Sequence, residues 1–364
     1  DAALDATPGE GCDFWMKLNA QRNRKRWSRS PRAGAIAQGL LMLGSAARQR
    51  IPRFGITSRR RPEKIYGRIG SLEVRLAQSW ADIRCAQKLR YDVFYNEMSA
   101  RANFTTQLRG RDEDPYDAIC DHLLVVDTSR SQANGRREWG RRKPYVVGTY
   151  RVLRQEVAQR KLGFYTQGEY DIAKLIARRP DLRFMELGRS CVLKPYRNKR
   201  TVELLWHGLW TYVREHKVDV MLGCASFEGV DPDAHAMALS FLHYYALAPE
   251  EWRVRAHDHL FVPMDRLPKE AVDPRAALKA MPPLIKGYLR LGAVVGEGAV
   301  IDHQFGTTDV LIVLPVERID PRYFDHFGAP DEEGCRVGLD RRADGVEKSS
   351  RGARATDELT ERPQ

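Results

Sequence analysis

Between Arg183 and Phe227 the hydrophobic period changes twice. RFMELGRSCVL (Arg183–Leu193) reads as a long strand, Thr201–His216 as an amphipathic helix with Thr201 as its N-cap, and VDVMLGCASF (Val218–Phe227) as a buried strand. Apolar residues every second position suit a pleated strand, and apolar residues at three- and four-residue spacing suit a helix lying on it. The surrounding chain fits this frame. LEVRLA from Leu72 reads as a first strand and Trp80–Met98 as a helix, with Ile83, Ala86, Leu89, Val93 and Phe94 at helical spacing. HLLVVDT (His122–Thr128) and PYVVGTYRVLR (Pro144–Arg154) read as an antiparallel hairpin with a long polar tip. Phe164–Ile176 reads as a loop leading into a short helix. Asp233–Ala246 and Pro283–Leu291 read as further helices, and Thr308–Leu314 as a last strand. This order predicts an α/β (α+β) fold, a mixed central sheet with helices on both faces. Ligands of such sheets sit where neighbouring strands diverge. Here that point falls between RFMELGRSCVL and VDVMLGCASF.

Charge divides the chain. Residues 1–66 carry fourteen Lys/Arg against five Asp/Glu, so about +9 of the total +12 lies in this segment. The remainder is close to neutral. Residues 1–66 therefore read as a basic leader, either a tether to an anionic membrane surface or an inert solvated arm. Residues 67–327 read as the folded body and 328–364 as a polar, disordered tail. No stretch reaches the ~18 consecutive apolar residues of a spanning helix. The longest apolar run, Ala33–Ala47, reads neither as one nor as a signal peptide. The six cysteines are scattered without metal-ligand spacing, which suits a reduced, cytoplasmic protein and no metal.

Four groups of residues carry candidate chemistry. Glu186 lies inside an apolar strand, where a carboxylate is costly unless paired, hydrogen-bonded or working. Removing a proton from an attacking amine is work that suits it. Strict alternation places Glu186, Gly188 and Ser190 on one face and Leu187, Arg189 and Cys191 on the other. The turn Arg197-Asn198-Lys199-Arg200-Thr201 joins cations to a helix start and could cradle a phosphate. Arg151 could grip a carboxylate, and Asp117 and Asp121 could receive a cationic acceptor; ordinary ion pairs explain the same residues. Lys286 and Arg290, four apart on a helix, could form a docking face for an acidic carrier or a solvated stripe.

The segments LRYDVFYNE, DHLLVVD, VGTYRVLR, GFYTQGEYD, FMELGRSCV, LLWHGLWTY, GCASFEGVD, LSFLHYYAL, PPLIKGYLRLGA and IDHQFGTTDVLI follow in order between about Leu72 and Phe327. On these the chain resembles the L-ornithine N-acyltransferases of ornithine-lipid synthesis, in the GNAT superfamily. The resemblance implies a GNAT-like acyltransferase fold. It also implies transfer of a 3-hydroxyacyl group from acyl carrier protein to the α-amino group of L-ornithine, giving lyso-ornithine lipid. The acyl-carrier-protein thioester is then a substrate, and no cofactor or nucleic-acid partner is expected. A more distant likeness to acyl-homoserine-lactone synthases is carried by Arg90, Phe94, Asp117 or Asp121, Arg151, Glu186 and Arg189. It implies Glu186 as the base and Arg90, Asp121, Arg151 and Arg189 as the acceptor-binding set. YRNKRT (Tyr196–Thr201) stands where GNAT enzymes carry a glycine-rich CoA loop, which favours a carrier-protein donor. The competing readings are an acyl-homoserine-lactone-synthase-like acyltransferase and a non-catalytic basic lipid- or nucleic-acid-binding protein. The body offers no interleaving of aromatic and basic residues to support base stacking.

Overall fold

The computed structural model describes residues 64–319 apart from 99, 134–136, 139–140 and 143, and no side chain over 131–143. Residues 1–63 of the expected leader (1–66), residues 320–327 of the expected body and the whole expected tail (328–364) lie outside the described residues. Ten strands are present: β1 (Ile65–Ile69), β2 (Leu72–Leu76), β3 (Asp121–Asp127), β4 (Arg137–Glu138), β5 (Arg141–Arg142), β6 (Val146–Arg154), β7 (Phe184–Val192), β8 (Val220–Glu228), β9 (Val294–Asp302) and β10 (Thr307–Pro315). Eight of them form one sheet in the order β1-β2-β3-β6-β7-β8-β10-β9, and β4 pairs with β5 at the hairpin tip. The longer helices are α1 (Trp80–Tyr91), α2 (Lys199–Glu215), α3 (Ala236–Tyr245) and α4 (Pro283–Arg290). Among the described residues no helix is long and apolar enough to cross a membrane.

The expected strands and helices are present. Four of these strands were not foreseen: β1, which begins inside the segment read as leader, the two-residue β4 and β5 in the tip read as a polar loop, and the glycine-bearing β9. α1 continues into a π-helical turn, Asp92–Glu97. α2 starts two residues ahead of Thr201. Asn198 is its cap, with extended backbone and a side chain accepting from the Thr201 N–H at 3.1 Å.

All neighbours in the large sheet run antiparallel except β7 and β8. α2 is the crossover that returns the chain for parallel pairing. That pairing lasts only from Phe184↔Val220 to Glu186↔Leu222, although β7 runs on to Val192 and β8 to Glu228. The two strands then part and leave a fork, at the place the pattern predicted. Gly223 stands at the fork. A Cβ there would lie 2.2 Å from the Leu187 carbonyl oxygen, so only glycine lets the backbones approach this closely.

One face of the sheet is covered by α2, through Leu204, Leu205, Leu209 and Val213 packed with Val74, Leu123, Val125 and Leu187. The opposite face is covered in two places. α1 packs Ala86, Leu89 and Val93 with Leu124, Val126 and Val146. Phe164, Tyr170, Leu175, Trp252 and Val254 pack with Phe184, Leu222 and Leu311. The α2 face and the α1 face are named after these helices below.

β7 departs from plain alternation. Thr149 pairs with Cys191 and Arg151 with Gly188, so two steps along β6 match three along β7. The extra residue makes a bulge, and Arg189 takes a left-handed φ of 52° there. The expected grouping of Glu186 with Ser190, and of Arg189 with Leu187, is therefore reversed beyond Gly188. Leu187 and Val192 join the α2-face core, and Ser190 reaches Tyr150 on that face. Arg189 and Cys191 turn to the α1 face, alongside Glu186.

Candidate active site

Arg90, in the last turn of α1, is fully buried. Its Nε donates to Asp112 Oδ2 at 2.7 Å and its Nη2 to Asp117 Oδ2 at 2.8 Å. Arg151 on β6 donates from Nη1 to both oxygens of Asp114 at 2.7 Å and to Asp117 Oδ1 at 3.2 Å. Arg189 completes the set at 3.4 Å from Asp112 and 3.5 Å from Asp114. Burial pushes Asp117 up, but the charges of Arg90 and Arg151 outweigh it and hold its carboxyl well below the usual aspartate range. Three guanidinium groups thus meet three carboxylates, and the cluster is neutral within itself. It pins the segment 112–117 to α1, β6 and the bulge of β7. The three arginines expected to bind an acceptor are brought together, but each is engaged by an aspartate of the chain. Asp121 is not part of this group. It lies on the α2 face, accepting from the Tyr212 hydroxyl at 2.5 Å with Arg154 at 3.8 Å.

Glu186 is buried on the α1 face. Its Oε2 accepts from the Tyr165 N–H at 2.8 Å, and its Oε1 from the Thr166 N–H at 2.6 Å and the Thr166 hydroxyl. Burial raises its pKa, opposed by these donors. Both oxygens are thereby committed to clamping the turn Tyr165–Gly168 onto β7. Glu186, expected as the base, thus also holds a loop onto β7.

The clamped turn delivers Glu169 to the fork, where the Cys224 thiol donates to Oε2 at 3.0 Å. Burial pushes Glu169 up to about 7, reinforced by Asp309 and Asp302 and opposed by Cys224 and Arg189. Asp309 on β10 is pushed up to about 6, again mainly by burial. Carboxylate oxygens of Glu169, Asp302 and Asp309 lie within 4.8 Å of one another. Sequence reasoning missed this acid cluster, though a signal existed. Asp309 interrupts the apolar strand TTDVLIVL just as Glu186 interrupts its own.

On the α2 face the fork holds a narrow apolar crevice lined by Leu187, Met221, Gly223, Tyr288, Ile312 and Leu314. The Tyr288 hydroxyl, at this crevice, is hydrogen-bonded to the Tyr150 hydroxyl. The fork thus joins an apolar cleft on one face to a carboxylate-lined site on the other.

The basic turn ahead of α2 is only partly available to a phosphate. Arg197 is held by Glu97 through two bonds, at 2.5 and 2.8 Å, and donates to the Val192 carbonyl at 2.8 Å. Lys199 lies 3.6 Å from Glu203, Asn198 caps the helix and Thr201 is buried. Lys194 and Arg200 are exposed. Lys286 is buried while Arg290 is exposed, so the two do not form one docking face.

Residues 89–207 match the model of the acetyltransferase (GNAT) domain. The chain is 55% identical over 265 residues to an L-ornithine N(alpha)-acyltransferase of Brucella abortus, covering 73% of this chain and 92% of the relative. It is 55% identical over 270 residues to the enzyme of that name from Agrobacterium fabrum, covering 74% and 89%. It is 39% identical over 257 residues to the one from Rhodobacter capsulatus, covering 71% and 95%. At this identity and coverage the chain belongs to the L-ornithine N(alpha)-acyltransferase family of GNAT acyltransferases.

Proposed function

We propose that this protein transfers an acyl group from a thioester to the α-amino group of L-ornithine. The observation that carries the proposal is the fork itself, with a carboxyl of pKa about 7 at its edge. A base poised near neutrality combines a useful deprotonated fraction with real proton affinity. In this reading Glu169 takes a proton from the α-ammonium, and the freed amine attacks the thioester carbonyl. The C–S bond of the tetrahedral intermediate then breaks, the amide forms, and the thiolate leaves to be protonated. The Tyr288 hydroxyl lines the crevice where that thiolate departs. Incubation with acyl thioester and a panel of amino acids, read by mass spectrometry, tests the reading. Failure to acylate L-ornithine while another amine is used would refute it.

Glu186 serves here as a positioning residue. Glu186→Gln is expected to lower kcat less than a change at Glu169 and to leave the rise in activity near pH 7 in place. A pH–rate profile of the variant checks this, and loss of that rise would return Glu186 to the role of base.

We further propose that the donor is a 3-hydroxyacyl group on acyl carrier protein and the product lyso-ornithine lipid. The turn before α2 carries exposed cations and no glycine-rich loop, which suits an acidic carrier with a single phosphodiester. Arg200→Glu should then raise KM for the carrier-protein thioester and flatten its salt dependence, with little change for a short thioester lacking the carrier. Equal effects on both donors would count against it.

A further inference from the structure

Two acidic triads lie near the fork, and they differ in one respect. Asp112, Asp114 and Asp117 are neutralised by Arg90, Arg151 and Arg189. Glu169, Asp302 and Asp309 are equally crowded, yet among the described residues no Lys, Arg or His forms an ion pair with any of them. The second triad also contains buried polar atoms without partners. Asp309 is 7% exposed and its Oδ1 has no hydrogen-bond partner. Ser226, the cross-strand neighbour of Asp309, and Thr307, 5% exposed and two residues before it on β10, both lie near enough to that carboxyl to favour its charged form, but Asp309 Oδ1 and the Thr307 hydroxyl meet no partner in hydrogen-bond geometry. A buried acceptor left unpaired is costly, and such groups in a native fold mark a place filled by something else.

We propose that Asp302 and Asp309, facing Glu169, form the seat for the side-chain ammonium group of a diamino-acid acceptor and so select it over amino acids with one amine. The inference rests on the ornithine reading above and adds the residues that impose it. An ammonium brings one charge and three donors, matched to a small group of acceptors. A hard divalent cation takes about six to eight oxygen ligands, or an octahedral shell rich in water. This cluster offers less, because Asp302 Oδ1 already accepts from the N–H groups of Gln304 at 2.7 Å and Phe305 at 2.9 Å. Placement agrees as well. Asp309 is paired with Ser226 on β8, two residues beyond Cys224, so the seat adjoins the base at the fork. Arg189, the nearest cation, is already shared between Asp112 and Asp114.

The test compares L-ornithine with L-norvaline, which has the same carbon skeleton and no side-chain amine, in steady-state assays of wild type, Asp302→Asn and Asp309→Asn. Each substitution should raise KM for ornithine by roughly 10- to 100-fold, the size of a lost charged hydrogen bond, with a smaller change in kcat. The ratio of kcat/KM for ornithine over norvaline should fall by a similar factor. Variants that keep the wild-type ratio overturn the seat and leave the ornithine reading intact. A wild type that acylates norvaline but not ornithine overturns both. Loss of ornithine turnover in EDTA, restored by Mg²⁺ or Ca²⁺, also overturns the seat and makes the triad a metal site. A readout without substrate is the melting temperature of Asp309→Asn. Because burial pushes Asp309 up to about 6, its contribution to stability is lost as pH rises through that value. Asn should therefore raise Tm at pH 8 and change it little at pH 5. A fall at pH 8 would mean that the carboxylate has an internal partner and is no empty seat.

Discussion

Glu169→Gln is expected to lower kcat by roughly 10²- to 10⁴-fold, the usual contribution of a positioned general base. The remaining activity should lose its dependence on pH near 7, because the group titrating there is gone. In the wild type, turnover should rise as pH passes about 7, where Glu169 loses its proton under the influence of burial, Asp302, Asp309, Cys224 and Arg189. Stability should move the other way. A carboxyl raised above its unfolded value contributes most below that unfolded value, and the contribution disappears as pH rises through about 7. Wild type should therefore lose Tm between pH 6 and 8 relative to the Gln variant, while gaining activity over the same interval. Thermal melts and pH–rate profiles on the two proteins check both limbs. Near-normal kcat in the variant would remove Glu169 from the chemistry.

Arg90→Met is expected to cost about 3–5 kcal/mol of stability, the penalty for leaving buried carboxylates without their partner. Arg90 is entirely covered and serves both Asp112 and Asp117, while Arg151 reaches only Asp114 and Asp117. Asp112 would then keep only Arg189, at 3.4 Å, and the hydroxyl of Tyr95, at 3.2 Å. The loss should be largest at neutral pH. Asp117 is held below the usual aspartate range, so its stabilisation stands above that range and fades only in acid. Urea melts at pH 7 and pH 2 measure the difference, and an equal loss at both values would place the effect in packing rather than charge.

Much of this architecture is written in hydrophobic period. The strand, helix and strand from Arg183 to Phe227 were readable because α2 has one apolar side and β7 and β8 lie in the middle of the sheet. The fork followed from the same pattern. β9 escaped because the two interior glycines of VVGEGAVID interrupt its apolar pattern. Its Gly296 is small for a packing reason, since a Cβ there would sit 2.9 Å from that of Leu311 and 3.0 Å from the Val254 carbonyl. Of the arginines of the site, Arg151 was legible in its strand and Arg90 and Arg189 only through the resemblance; two of their partners were not. Asp112 and Asp114 come from an irregular segment whose path no period encodes. Glu186 was legible as an oddity in its strand, and only the donors from Tyr165 and Thr166 reveal that it also anchors a turn. Glu169 lies on that turn, and no local pattern marks it.

The extra residue in β7 has a consequence for how the gene can change. Between Gly188 and Cys191 the strand counts three residues against two in β6. Deleting one codon there would restore an even count and rotate every later side chain by half a turn. Insertion of a second residue would do the same in the other sense. Val192 would then point away from α2 and Cys191 into it, while the guanidinium at 189 would lose Asp112 and Asp114. Substitutions along this strand trade one side chain for another at a fixed address. Changes of length alter the addresses themselves, so drift among descendants of this sequence should accumulate in the letters of FMELGRSCV and spare their number.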